Sequence, residues 1–339
     1  MAEIERATSA VMPSPAPVAV YRGRVLSGRR LRLGSRTSPM AMAQAHLVRD
    51  LLAGQVDGLD VEIVGIQTSG DAWRGDLAQL GGKGAFLKEI DKALVTGQID
   101  MAVHCLKDVP GDVPLAPGTV IAAYLPREDV RDVVVFPTGS KYSHLDDLPP
   151  GSKIATSAVR RKAQLLRVRP DLHVDRIRGN VDTRLARLDA EQRFGAMILA
   201  GAGLRRIGME HRADQVLSLE EMCPAVGAGI ICLHVRETDE ALVELARLLD
   251  DPVTRVHATA ERTMLHSLRG HCNSPIAGHC TTTPDGQLSL LGMVFSREGG
   301  TFAYAHEWDT PDRAPELGAF VAATLARKGA RAIIDGIPH

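Results

Sequence analysis

The chain has 339 residues, 45% of them hydrophobic and 24% charged, which is too long for one ordinary core and too apolar for a disordered protein, so two or three folded domains are expected. Forty basic residues against forty-one acidic ones leave a formal charge of −1, which speaks against a protein that coats nucleic acid by charge. No apolar run reaches the ~18 residues that a membrane helix needs. The five cysteines include no C-x-x-C pair and fit neither a disulfide framework nor a structural zinc site, so a reducing cytoplasm is the expected compartment.

In chain order, residues 1–29 read as a disordered extension, because Pro13, Pro15 and Pro17 interrupt their only apolar stretch. Leu31-Arg32-Leu33 alternates like a strand, and Ser38 before Pro39 reads as a helix N-cap, opening a helix to about Ala53. A β-branched run follows at Val61–Thr68. Phe86–Thr96 has helical spacing, while Met101–Val103, Val120–Tyr124 and Val133–Phe136 read as strands. After turn chemistry at 145–151, Ile154–Thr156, Val174–Ile177 and Met197–Ala200 read as strands alternating with helices at Val159–Arg169 and Thr183–Ala190. This βαβα rhythm predicts mostly parallel sheets with helices on both faces. Beyond Pro252 the pattern becomes α+β: a helix to Leu268, hairpin turns at 284–286 and 298–300, and a final helix at Ala314–Arg331.

Four segments could carry chemistry. His104-Cys105-Leu106-Lys107-Asp108-Val109-Pro110 follows a short apolar strand, the usual place for a site in an α/β protein. Asp108 there suits a general acid or a counter-charge to a cation; alone, the heptapeptide reads rather as a solvated turn with a surface Asp. Gly81-Gly82-Lys83-Gly84 lacks the P-loop spacing and reads as a hinge, with Lys83 near whatever binds. Thr156-Ser157-Ala158-Val159-Arg160-Arg161 and Arg178–Arg184 are strand-to-helix turns that suit an anion. They lie in a stretch from Arg160 to Arg206 that holds eleven arginines and Lys162 against five acids. Arginine grips carboxylate or phosphate bidentately. Last, Gly270-His271-Cys272-Asn273-Ser274-Pro275 places one cysteine in a Gly/Pro-bounded loop, as a nucleophile, an attachment point or a buried thiol. His104, His271 and His279 show no metal-ligand spacing, so no metal is expected.

Together these segments resemble the porphobilinogen deaminase (hydroxymethylbilane synthase) family from about Leu31 onward. The markers are Gly34-Ser-Arg-Thr-Ser-Pro39, Leu80-Gly-Gly-Lys-Gly84, Ala102-Val-His-Cys-Leu-Lys-Asp-Val-Pro110, Pro126-Arg-Glu-Asp129, Arg160-Arg-Lys-Ala-Gln-Leu165, Arg178-Gly-Asn-Val-Asp-Thr-Arg-Leu185, Ala202-Gly-Leu-Arg-Arg206 and Pro224-Ala-Val-Gly227. The resemblance implies an α/β fold of two periplasmic-binding-protein-like doubly wound lobes plus a small α+β C-terminal domain. The implied division is residues 30–126 with 228–247 for lobe 1, 127–227 for an arginine-rich lobe 2, and 248–339 for the third domain. It implies a cytoplasmic, monomeric transferase of tetrapyrrole biosynthesis. Four porphobilinogen units would be condensed, with loss of ammonia, onto a dipyrromethane cofactor held by Cys272. By motif match, Asp108 is the catalytic residue, and Arg36, Ser38, Lys83, Lys107, Thr156, Ser157, Arg160, Arg161, Arg178, Arg184 and Arg206 bind cofactor and substrate.

Cys105 and Ala158 stand where the family usually has serine, His271 replaces a glycine, and Ala228 replaces a glutamine. Two other readings stand beside the transferase. A divergent paralogue would make a different pyrrole oligomer, and a non-catalytic clamp would bind a small anion but would need neither Asp108 nor Cys272. Nucleic-acid binding fits poorly, since the basic stretch offers only Phe194 for stacking.

Overall fold

The computed structural model describes residues 30–73, 82–270 and 274–337. The chain opens with β1 (Leu31–Arg36), α1 (Pro39–Gln55), β2 (Val61–Ile66), a single turn α2 (Ser69–Ala72), α3 (Lys88–Val95), β3 (Met101–Cys105) and β4 (Thr119–Tyr124). Local chemistry accounts for the first helix: Pro39 fits the first helical turn, and the Ser38 hydroxyl accepts from the Ala41 amide. Its buried face, Ala45, Val48 and Leu52, repeats at helical spacing and packs on Leu33, Met101 and Val103 of the sheet. Each such leucine contributes roughly 1.5–3 kcal/mol by leaving water.

A second unit follows: β5 (Asp132–Val135), β6 (Lys153–Ala155), α4 (Val159–Val168), β7 (His173–Asp175), α5 (Val181–Glu191), β8 (Ala196–Ala200), α6 (Gly201–Arg206) and β9 (Gln215–Val216). The chain then returns to the first sheet as β10 (Ile231–Arg236), followed by α7 (Glu240–Arg247). The two sheets have the orders β2-β1-β3-β10-β4 and β7-β6-β8-β5-β9. Each is therefore an α/β lobe with its own core, and the expected fold class is the one observed.

The expectation of mostly parallel sheets needs correction. Parallel ladders join β1 to β2 and β3, and β6 to β7 and β8; β10 runs antiparallel to both β3 and β4, and β5 runs antiparallel to β8 and β9. The reason is connectivity. A strand entering a sheet directly from the other lobe arrives without the crossover helix that a parallel neighbour requires.

The third unit contains α8 (Pro252–Leu268), the antiparallel meander β11 (Ile276–Thr282), β12 (Leu288–Phe295) and β13 (Phe302–Asp309), then α9 (Ala314–Arg327) and α10 (Ala330–Asp335). The two helices cross so closely at Gly318 that a Cβ there would lie 2.3 Å from the Ala260 carbonyl oxygen. The expected single helix to Arg331 is instead two. Gly329 adopts φ 91°, which a right-handed helix cannot contain.

Candidate active site

Site residues collect where parallel strands end, because there the backbone leaves the sheet and its side chains are free to face a ligand. In lobe 1, Arg36 closes β1. Its guanidinium grips the Asp71 carboxylate through Nε (3.1 Å) and Nη2, and lies 4.1 Å over the Phe86 ring. The Ser38 hydroxyl serves the cap of α1. Lys83 lies in a 3-10 turn, Gly82–Phe86, and its side chain falls outside the described residues.

The strand β3 ends in one 3-10 turn, Leu106–Asp108. Leu106 and Val109 are buried and anchor it, whereas Lys107 and Asp108 between them are half-buried. The turn is held from below: the Leu106 amide donates to the Ile230 carbonyl at 2.9 Å. Gly227, at φ 73°, passes so near that a Cβ would meet Leu106 Cγ at 2.9 Å and the Lys107 nitrogen at 3.0 Å. Only glycine combines that backbone conformation with that approach.

In lobe 2, the end of β6 carries Thr156 and Ser157. Thr156 Oγ1 accepts from the Ala158 amide at 3.2 Å, and the Ser157 hydroxyl donates to the Ile177 carbonyl. Arg184, on the first turn of α5, donates Nε–H to the Gly179 carbonyl at 2.6 Å. Burial, with Arg161 and Arg178 nearby, pulls its pKa down to about 10, and Asp108 is the carboxylate that opposes this. Asp108 of lobe 1 and Arg161, Arg178 and Arg184 of lobe 2 therefore share one electrostatic field across the cleft. Arg206 is nearly buried: it donates Nε–H to Glu128 at 2.8 Å and an Nη2–H to the Gly229 carbonyl at 3.2 Å, with Nη1 3.8 Å from the Cys105 sulfur.

The adjacent pair Arg160 and Arg161 is placed differently from the rest. Asp132, buried on β5, takes Arg160 Nη2 at 2.6 Å and Arg161 Nη2 at 2.8 Å, and the carbonyls of Cys223 and Ile198 take further donors. Burial alone would raise the pKa of Asp132, but the two cations outweigh it and hold this carboxyl well below the usual range. Arg160 is committed to internal partners. Counting charges along the sequence from 160 to 206 overstates the free positive charge, because Asp132 lies outside that window. Arg161 keeps one donor in hand: its buried Nε has no partner among the described residues.

One cluster had no sequence signal. Asp91 of α3, His104 of β3 and His234 of β10 offer ligand atoms within 4.8 Å of one another. Burial presses His104 down to about 3 and His234 to about 4, and raises Asp91 to about 6. His234 lies far along the chain from Asp91 and His104, on a strand that returns from the other lobe, so spacing could not reveal the cluster.

Cys272 lies outside the described residues; the other four cysteines are buried thiols. The donor set among the described residues fits a polycarboxylate group. Arg184 is a partly desolvated cation among cations, Arg161 Nε is orphaned, and the Ser274 hydroxyl, two residues beyond Cys272, is buried with no partner. Ala228, by contrast, is buried, and its carbonyl accepts from Arg127 Nε at 2.9 Å. Among the described residues no helix is long and apolar enough to cross a membrane.

Two α/β lobes meeting at a cleft with an acid on one wall and cations on the other, followed by an α+β domain, define an anion-handling two-lobed protein. Residues 31–244 match the family model for "Porphobilinogen deaminase, dipyromethane cofactor binding domain" and residues 256–327 match that for its C-terminal domain. Porphobilinogen deaminase 2 of Streptomyces coelicolor is 51% identical over 91% of this chain and 97% of its own length, and porphobilinogen deaminase of Nitrobacter winogradskyi is 42% identical over 87% and 92%. Among solved structures, the periplasmic aliphatic sulphonate binding protein SsuA of Escherichia coli matches 71% of this chain and 70% of its own, at 15% identity and a TM-score of 0.39. The chain belongs to the porphobilinogen deaminase family.

Proposed function

We propose that this chain is a hydroxymethylbilane synthase, which joins four porphobilinogen units head to tail, with loss of ammonia, and releases the linear tetrapyrrole by adding one water at its freed methylene carbon. Membership of the family over nearly the whole chain carries this reading. The family's dipyrromethane, when bound, supplies the pyrrole carbon on which the chain begins to grow, and Cys272 is the residue we assign to hold it. In the molecule's division of labour, residues 30–126 with 228–247 form lobe 1, residues 127–227 form lobe 2, and residues 248–339 carry the attachment cysteine. Three separate sheets support that division.

Asp108 is the residue we assign to the chemistry. Breaking the aminomethyl C–N bond of porphobilinogen sends the bonding pair out with ammonia and leaves an azafulvenium cation. The Asp108 carboxyl can hand a proton to the departing nitrogen and, as carboxylate, oppose the positive charge that remains. The attacking pyrrole's α-carbon then loses its proton and the ring recovers its aromaticity. Each added pyrrole brings two carboxylate arms, so charge accumulates as the product grows.

Arg161, Arg178 and Arg184 sit where those arms would be held, each charge-assisted contact contributing roughly 1.5–3 kcal/mol. Arg36, Ser38, Lys83, Lys107, Thr156, Ser157 and Arg206 complete the proposed wall. Arg160 acts one step back, through Asp132 and the strand that carries it. We place the enzyme in the cytoplasm as a monomer. Supplying purified protein with porphobilinogen tests the reading. Four ammonia molecules should appear for each hydroxymethylbilane, and binding of porphobilinogen without ammonia would instead favour the anion clamp.

A further inference from the structure

The lobe 1 cluster behind the catalytic turn poses a problem of bare lone pairs. Thr119 Oγ1 lies 2.6 Å from the Ala116 carbonyl and must donate its one proton there. It can then only accept at its 2.7 Å contact with His234 Nε2, so the proton of that imidazole sits on Nε2. His234 Nδ1 is left with an exposed lone pair, and it faces Asp91 Oδ1 at 3.6 Å. His104 Nε2 lies in the same pocket. All three atoms are buried and lack a hydrogen-bond partner among the described residues, and their residues come from a helix and two paired strands. The Asp91 oxygen and the His234 lone pair, crowded together inside a lobe, repel unless something positive lies between them.

We propose that Asp91 Oδ1, His104 Nε2 and His234 Nδ1 form a site for a zinc-class divalent cation that ties α3 to β3 and β10. Two imidazole nitrogens and one carboxylate oxygen are a borderline ligand set, suited to zinc rather than to magnesium or calcium. Atoms all within 4.8 Å of one another leave a point about 2.8 Å or less from each, so inward shifts of about 0.7 Å reach the 2.0–2.2 Å bonds that zinc makes to nitrogen and oxygen. Thr119 serves as the outer partner, fixing the tautomer and orientation of His234 as such groups do in metal sites. The ion would bear on the catalytic turn only indirectly, through β3, which begins the path to Asp108.

The test uses holoenzyme stripped with a chelator and titrated with zinc alone. Wild type should take up one equivalent per chain and gain melting temperature, and cobalt in place of zinc should give the visible bands of a low-symmetry, nitrogen-containing site. Asp91→Asn is the informative variant, since its amide can donate to His234 Nδ1 and preserve the fold while removing the anionic ligand. It should remain folded and lose the bound equivalent. Thr119→Val should weaken zinc binding by about 10–100-fold. No uptake by wild type, or equal uptake by wild type and Asp91→Asn, would overturn the proposal and leave a proton shared between Asp91 and His234 as what fills the gap.

Discussion

The carboxylate of Glu261, wholly buried on α8, receives the guanidinium of Arg127 at 2.6 Å. The same carboxylate accepts from the backbone amides of Gly227 and Cys280, each at 2.8 Å. Arg127 lies on the path out of lobe 1, Gly227 on the path back, and Cys280 in the third domain's sheet. One side chain thus joins both connections between the lobes to the third domain.

Replacing Glu261 by Gln should therefore destabilise the protein by about 3–5 kcal/mol, since it strands a buried guanidinium without its counter-charge. Thermal or urea unfolding measures this, and a change under about 1 kcal/mol would show that the junction is held by other contacts.

Asp132 gives a pH prediction. Its folded pKa is depressed, so the stability it contributes is present at neutral pH, above the unfolded value of about 4, and is lost as pH falls through the folded value. Wild type should lose melting temperature steeply below about pH 4, whereas Asp132→Asn should start lower at neutral pH and fall less. Parallel slopes for the two proteins would count against the pair's assigned role.

The arginines should separate into two kinds. Arg160→Leu removes one of the two cations that hold the buried Asp132 carboxylate and should cost about 1.5–3 kcal/mol of stability, with Arg161 keeping the other oxygen paired. Arg184→Leu relieves a partly desolvated cation, so it should leave the melting temperature close to wild type while impairing cofactor assembly or chain growth. Measuring melting and porphobilinogen turnover on both variants checks the split.

For Asp108, Asn keeps size but removes the charge and the transferable proton, and Glu misplaces both by about one methylene. Asn should nearly abolish ammonia release and Glu should retain a small fraction, with the loss in turnover rather than in substrate binding. Near-native turnover of Asp108→Asn would remove this residue from the mechanism.

The layout was legible wherever local chemistry dictates it: the Ser38–Pro39 helix start, the hairpin turns at 284–286 and 298–300, and the βα alternation each appear in the structure. Contacts between distant residues were not legible. Nothing near Arg160 in sequence announces Asp132 as its partner, and nothing near His104 announces His234, since both pairings arise only when strands far apart in the chain become neighbours. Strand direction was hidden for the same reason, because a pattern of buried residues does not record which way a returning strand runs. The motifs singled out Asp108 and the arginines of lobe 2 as candidates, but separating Arg184 from Arg160 required knowing which carboxylates each one meets.

The central claim is that this chain builds a polypyrrole on a cofactor held by its own cysteine, and intact-mass measurement tests it most directly. Purified wild type should exceed its sequence mass by one dipyrromethane and show further increments of one pyrrole unit after brief exposure to porphobilinogen. Cys272→Ser should show neither. An unmodified wild-type chain that nevertheless turns over porphobilinogen, or a Cys272→Ser variant that keeps the adduct, would contradict the account.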